Sequence, residues 1–382
     1  MIYHIMRKYG HACKSSFLQV YLFCAGRIAS RIQKPKKYRE DYPIDFVVTW
    51  LDDSDPEWIK EKQKYAGEMR EQASNIEARY RDWDTLVYWF RAVEKYAPWV
   101  NRVYLVTCGH KPSWLNLQNE KLTLVAHKDF MPKEYLPTFN CNSIELNMWR
   151  IPGLSEHFVY FNDDMFLNRP VDPEDFFENG LPRECAIAKP IHATRKKKGA
   201  DSALAWKHAL LNDYSVINSS FDIRRCIRRD PEKWFSYVIG SNAKYNRRLY
   251  TDGYLAGMVH PHVTRSFLKK AFVDLWNNQG KVLDETSKSR FRSSNNITDQ
   301  LVALWMLFSG DFSPTTRDQL GKLFLASPDS VERFTEELLT PKYNVICYND
   351  GAAVESEEFD EIKKRILDAF AEKLPEKSSF EI

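Results

Sequence analysis

A chain of 382 residues that is 43% hydrophobic and 14% aromatic can bury one large core or several modest ones, which excludes a disordered or fibrous protein. Its 55 basic and 52 acidic residues leave a net charge of only +3, which excludes nucleic-acid binding through bulk charge; an anionic ligand must be caught by a local cluster. The seven cysteines, Cys13, Cys24, Cys108, Cys141, Cys185, Cys226 and Cys347, are scattered, odd in number and without a C-x-x-C pair. They indicate neither a zinc site nor a disulfide framework, and reduced cytoplasmic thiols are the expectation.

In chain order, the first forty residues carry Arg7, Lys8, Lys14, Arg27, Arg31, Lys34, Lys36, Lys37 and Arg39, with no acid before Glu40. The apolar stretch from Phe17 to Gly26 is far shorter than the ~20 residues a membrane-spanning helix needs. The region stays basic after that stretch and lacks a small-residue cleavage site, unlike a signal peptide. Two readings stand: residues 1–40 rest peripherally on an anionic, cytoplasmic membrane face, or they pack as a helix on the protein's own body.

Ile44 to Trp50 reads as a buried strand that breaks into an acidic turn, Asp52, Asp53, Ser54, Asp55 and Pro56, with helix N-cap chemistry. A polar helix is expected from about Glu57 to Ala78. A second, capped at Asp84, should run to Tyr96 with Leu86, Trp89, Phe90 and Val93 on one face, stopped by Pro98. Arg102 to Thr107, Lys121 to Ala126 and His157 to Phe161 read as further strands. This alternation predicts an α/β fold with a Rossmann-like, mainly parallel sheet and ligands at the strands' carboxyl ends. From about Arg195 to Tyr250 the chain turns basic and less regular in pattern, with Arg195-Lys196-Lys197-Lys198, Arg224-Arg225 and Arg228-Arg229, as in a helical, basic insertion over the core. Helical patterns return at Val263 to Asn277, Thr298 to Phe308, Val331 to Leu339 and Glu358 to Leu374. The expected division is a basic N-terminal segment (1–42), an α/β nucleotide-sugar part (43–190), a basic insertion (191–250) and a helical part completing the site (251–382).

Chemistry concentrates at strand ends. Asn162, Asp163 and Asp164 close an apolar strand with hard oxygen ligands, suited to Mg²⁺ or Mn²⁺ on a diphosphate or, alternatively, to shaping a turn. The Asp52–Asp55 turn either holds a ribose, phosphate or metal or simply starts a helix. Asn140 to Glu145 (NCNSIE) offers a phosphate-binding helix N-terminus or an ordinary cap. His262, in His260-Pro261-His262, is a general-base candidate or a structural histidine. Arg290 and Arg292 clamp phosphoryl oxygens or are solvated. Cys347-Tyr348-Asn349-Asp350 is another polar strand end, too short to interpret by itself.

Together these strings resemble the Stealth family of sugar-phosphate transferases, to which the animal N-acetylglucosamine-1-phosphotransferase of lysosomal enzymes is related. The resemblance is carried in order by IDFVVTWLDDSDPEW (Ile44 to Trp58), by the block from Arg81 to Leu167, by the stretch from His260 through Arg292 to Gly310, and by CYND at Cys347. The chain departs from the family pattern at Asp53-Ser54, Cys108, His110 and Cys141. The resemblance implies attack by a glycan hydroxyl on the β-phosphorus of a UDP-sugar, with loss of UMP and formation of a phosphodiester, as in capsular or cell-wall polysaccharide synthesis. It implies Asp163 and Asp164 as metal ligands, Arg292 on the phosphoryl oxygens and His262 as base or covalent nucleophile. Asp52, Ser54, Arg81, Asp82, Asn140, Glu145 and Asn162 would shape the donor pocket. The implied partners are a UDP-sugar and a glycan, lipid-linked or free. Two alternatives remain: a glycosyltransferase that moves only the sugar and releases UDP, and a non-catalytic glycan-binding protein that has kept the fold.

Overall fold

The computed structural model describes residues 18–31, 42–69, 71–191, 200–350 and 353–382. Its eleven strands are β1 (Ile44–Thr49), β2 (Val103–Thr107), β3 (Leu122–Ala126), β4 (His157–Phe161), β5 (Met165–Leu167), β6 (Phe177–Glu178), β7 (Leu181–Glu184), β8 (Arg265–Leu268), β9 (Ser313–Pro314), β10 (Lys322–Leu325) and β11 (Val345–Asn349). The central sheet has the order β3-β2-β1-β4-β8; β1 to β4 are parallel and β8 runs antiparallel to β4. β1 is covered on both faces, so Phe46, Val47 and Val48 are all fully buried, as the unbroken apolar run requires. Its one charge, Asp45, is also buried and accepts from Asn101 Nδ2 and the Ser155 amide, each at 2.7 Å. Sequential strands build outward from β1 to β3, and β4 then adds on the other side of β1. The sheet therefore has its switch point between β1 and β4, where α/β folds open a crevice.

A second sheet, β10-β11-β5, decides the site's make-up. β11 pairs antiparallel with β5, setting Cys347 opposite Met165 and so bringing CYND beside the Asn162–Asp164 turn. A third small sheet is β6-β7-β9.

The helix Leu86–Tyr96 buries Leu86, Trp89, Phe90 and Val93 as its periodicity predicts. Other expectations are corrected. The helix expected to reach Ala78 stops at Lys64, and three short 3₁₀ turns follow (Ala66–Glu68, Gln72–Ser74, Glu77–Arg79). The reason is tertiary. Glu71 accepts from the Ser294 amide at 2.7 Å and from the Ser293 and Ser294 hydroxyls at 3.1 and 2.8 Å, bonds a continuous helix would not allow. The helix expected from Val263 begins as β8 and turns helical only over Lys269–Ser287.

The basic region is helical, as expected of a helical, basic insertion: Ala200–Ser220, Ile223–Arg229, Pro231–Trp234 and Ala243–Asp252. Arg195 to Lys198 lie outside the described residues. Two of the four arginines in the later clusters close helix ends. Arg224 donates to the carbonyls of Tyr250, Thr251 and Asp252, and Arg229 donates to Phe308 O at 3.0 Å.

Of the basic N-terminal segment, residues 18–31 form a helix on the protein's own body. Leu22 is buried, and Phe23 meets Phe235 edge-on at 6.0 Å. Gly26 permits a close approach, since a Cβ there would lie 2.4 Å from Pro231 O. Leu18, Val20, Tyr21 and Ile28 face outward. Among the described residues no helix is long and apolar enough to cross a membrane, and Cys24, Cys108, Cys141, Cys185, Cys226 and Cys347 are free.

Candidate active site

A cavity opens over the carboxyl ends of β1 and β4 and is closed by the loops 260–265, 292–300 and 349–350. At its floor the Asp163 carboxyl is held well above the usual carboxylate range, by burial first and then by Asp164 and Asp82. Asp164 is fixed by the CYND strand end: Asn349 Nδ2 donates to its Oδ2 at 2.9 Å, and the Tyr348 amide donates to its carbonyl at 2.9 Å. Its Oδ1 is buried with no hydrogen-bond partner among the described residues.

Positive charge lies in the same cavity. Arg79 and Arg292 both line it, and the Arg79 guanidinium is pushed down to about 10 by burial and by Arg292. Two buried cations that repel each other are poised for an anionic ligand such as a diphosphate.

His262 joins this cluster with a backbone φ of 49°, a left-handed conformation that is costly for a residue bearing Cβ. Burial holds its imidazolium below the ordinary range, against the pull of Asp164 and Asp299. Its Nε2 is buried and has no hydrogen-bond partner among the described residues. Ligand atoms of Asp164, His262 and Cys347 all lie within 4.8 Å of one another.

The wall beside β4 is a proton-sharing network. The Tyr160 hydroxyl is 3.1 Å from Thr49 Oγ1, 3.1 Å from Glu145 Oε1 and 2.6 Å from Asn162 Oδ1. The hydroxyl donates to Glu145 Oε1 and Asn162 Oδ1, and the Thr49 hydroxyl is placed to donate to it in return. The Glu145 carboxyl is pushed up to about 7 by burial and by Asp299. Asp299 in turn pairs with Arg265 at 3.0 Å, and Glu184 lies 3.7 Å from the same guanidinium.

The donor set at Asp163 and Asp164 fits a hard divalent cation: two adjacent, half-buried carboxylates, one of them with a buried oxygen that has no hydrogen-bond partner among the described residues. Cys347 does not belong to such a set, because burial and Asp164 hold its thiol well above the ordinary range, and so protonated.

Of the expected residues, Arg81, Glu145, Asn162, Asp163, Asp164, His262 and Arg292 line the cavity. Asp52, Ser54 and Asn140 are not among the residues that line it, Asp82 lines an adjoining recess with Asp163 and Asp164, and all four make local hydrogen bonds. Asp52 Oδ1 accepts from the Ser54 amide at 3.0 Å and its hydroxyl at 2.6 Å, closing the turn on itself. Asp82 accepts from Trp50 Nε1 at 2.9 Å and from the Asp84 amide at 2.8 Å. Asn140 is fully buried, caps the helix Cys141–Asn147 and donates to Ser289 O at 2.9 Å and Asn296 Oδ1 at 3.0 Å. Arg81 does line the cavity, but its guanidinium is held bidentately by Asp350, with both contacts at 3.0 Å.

Sequence reasoning missed Arg79, Asn349 and Asp299, and also Glu71 and Asn75, which brace the Arg292 loop; Asn75 Nδ2 donates to Arg292 O at 2.9 Å. Only Asn349 and Asp350 carried a visible signal, the CYND string.

Comparison with known proteins gives two family matches: Stealth protein CR1, conserved region 1, over residues 42–70, and Stealth protein CR2, conserved region 2, over residues 79–184. The chain is 40% identical over 339 residues to the capsular polysaccharide phosphotransferase WcwK of Streptococcus pneumoniae, covering 88% of this chain and 98% of the relative. It is 40% identical over 346 residues to the receptor polysaccharide phosphotransferase WefC of Streptococcus gordonii (89% and 99%). It is 39% identical over 341 residues to the exopolysaccharide phosphotransferase cps2G of Lactiplantibacillus plantarum (89% and 96%). Among solved structures, the galactosyltransferase LgtC, in complex with donor and acceptor sugar analogs, aligns over 84% of this chain and 95% of its own at 12% identity, with a TM-score of 0.32.

Proposed function

The chain belongs to the Stealth family of polysaccharide phosphotransferases, and from that premise we propose that it moves a hexose-1-phosphate or N-acetylhexosamine-1-phosphate from a UDP-sugar to a glycan hydroxyl in capsular or exopolysaccharide synthesis, releasing UMP. The observation that carries this reading is the grouping of His262, with its unpartnered buried Nε2, beside Asp164 and the Arg79–Arg292 pair. Transfer at phosphorus needs charge stabilisation on the phosphoryl oxygens, in-line positioning and a base. Arg292 and Arg79 receive the phosphoryl oxygens, and the neutral imidazole of His262 takes the proton of the acceptor hydroxyl at Nε2. Asp163 and Asp164 would hold Mg²⁺ or Mn²⁺, which when bound supplies charge neutralisation on the diphosphate. Asn349 holds Asp164 in place, and Glu145, accepting from the Tyr160 hydroxyl, keeps Tyr160 and Asn162 aligned beside the acids.

The lipid-facing part of the same reading rests on the outward row Leu18, Val20, Tyr21 and Ile28. Flotation with anionic vesicles, with and without residues 1–40, tests it; equal behaviour of the two proteins rejects membrane contact.

The test of the reaction follows a label in the donor's β-phosphate. Its appearance in the glycan, with UMP as co-product, supports phosphate transfer. Its recovery in UDP overturns that reading and makes the protein a glycosyltransferase.

A further inference from the structure

The helix Ala200–Ser220 carries a tryptophan, Trp206, that lines the active-site cavity yet remains 38% exposed. A large indole left open in a polar cavity is either a cost or a binding surface. Its position is firmly set. Trp206 and Asp213 are seven residues apart, about two turns, so they share one helix face. Asp213 is fully buried and accepts from the Thr298 amide at 3.0 Å and its hydroxyl at 2.7 Å. The neighbouring Asn212 donates to Ser294 O at 2.8 Å and Asn296 O at 3.0 Å. The helix is thereby fastened to the loop that bears Arg292, and the indole is aimed at the site by the same bonds.

The sheet order identifies the side of the site on which Trp206 stands. In β3-β2-β1-β4-β8, the ends of β1 and β2, with Trp50, Leu51 and Cys108, wall one flank; the approach to β8, with His260 and His262, walls the other. Trp206 meets His260 at 5.9 Å with the rings 77° apart, and so stands on the His262 flank. His260 is itself engaged, lying 2.5 Å from the Tyr214 hydroxyl through Nε2, and burial pushes its imidazolium down to about 3. It therefore stays neutral and serves as backing for the indole.

We infer that Trp206 is the platform for the acceptor's sugar ring, stacking on the C–H face of a hexopyranose and presenting its hydroxyl to His262. The inference rests on the transfer reading above for the identity of the acceptor and of the base. A pyranose shows one largely apolar face, and an indole fixed at a cavity mouth matches it in size and polarity. A nucleobase would also stack on an indole, but the donor's diphosphate belongs with Asp163, Asp164, Arg79 and Arg292, leaving the His262 flank to the attacking hydroxyl.

The experiment uses the full chain with UMP present and titrates the methyl glycosides of glucose, galactose and N-acetylglucosamine by saturation-transfer NMR. At least one glycoside is expected to receive saturation on one ring face. Its Kd should rise on the order of tenfold in Trp206→Ala and be largely restored in Trp206→Phe, while UMP binds all three proteins alike. Thermal melts check that both variants fold. Equal glycoside binding by wild type and Trp206→Ala overturns the inference, as does an absence of glycoside binding in both. Loss of UMP affinity in Trp206→Ala also overturns it, assigning the indole to the base. The transfer reading fails separately, through β-phosphate label recovered in UDP, whatever Trp206 does.

Discussion

Two acidic turns follow parallel strands in this protein, and they look alike as strings: LDDSD after β1 and NDD after β4. Their fates differ. In the first, Asp52 Oδ1 accepts from Ser54, and Asp55 caps the next helix by accepting from the Glu57 amide at 2.9 Å while its other oxygen pairs with His110 at 3.2 Å. In the second, Asp163 and Asp164 share a cavity with Arg79 and Arg292, and the buried Oδ1 of Asp164 has no hydrogen-bond partner among the described residues. A carboxylate whose hydrogen bonds close within its own turn is a structural element. One that the fold buries and leaves unsatisfied is a ligand site.

Substitutions should separate the two turns, beginning with the largest effect. Asp164→Asn removes half of the acid pair and should lower turnover roughly 10⁴-fold, several kcal/mol of transition-state stabilisation, read as initial rates of nucleotide release across a metal titration. A loss rescued by excess Mg²⁺ would instead assign Asp164 to affinity alone. His262→Ala should cost ~10³-fold in kcat while leaving donor binding by calorimetry close to wild type; near-normal turnover removes His262 as base. Asn349→Ala frees Asp164 from its strand-end tether and should cost ~10–100-fold, with a weakened apparent metal affinity in the same titration. Asp52→Asn keeps the turn's geometry and should change kcat by no more than about twofold, with at most ~1 kcal/mol of stability lost in urea denaturation. An effect on rate as large as that of Asp164 would erase the distinction.

A fifth outcome concerns Glu145. Glu145 is raised from 4.5 to about 7 in the folded chain, so the folded state holds its proton more tightly than the unfolded state. The associated stability is fully present below about pH 4.5 and is lost as pH rises through about 7. Glu145→Gln keeps an oxygen that can accept from Tyr160 and removes the titration. Chemical denaturation between these pH values should therefore show a flatter stability profile than wild type.

The parallel strands and their hydrophobic helix were legible because burial on both faces leaves an unbroken apolar run, as at Phe46 to Val48, and because a one-sided helix repeats every three to four residues, as at Leu86 to Val93. The segment after Lys64 was not legible, because Glu71 and Asn75 spend their polar groups on a loop more than 200 residues away. Neither was Arg79: without the fold, nothing distinguishes it from a solvated arginine.

Sequence alone determined the α/β class, the acidic end of β4 and the likeness to the Stealth family, since each resides in contiguous residues and short-range periodicity. Only the tertiary structure decided which acidic turn is spent on itself. The pairing of β11 with β5 sets Asn349 against Asp164, and the bonds from Asn212 and Asp213 aim Trp206 into the cavity. Those decisions depend on burial and on partners distant in the chain, and a carboxylate's role follows from whether such partners satisfy it.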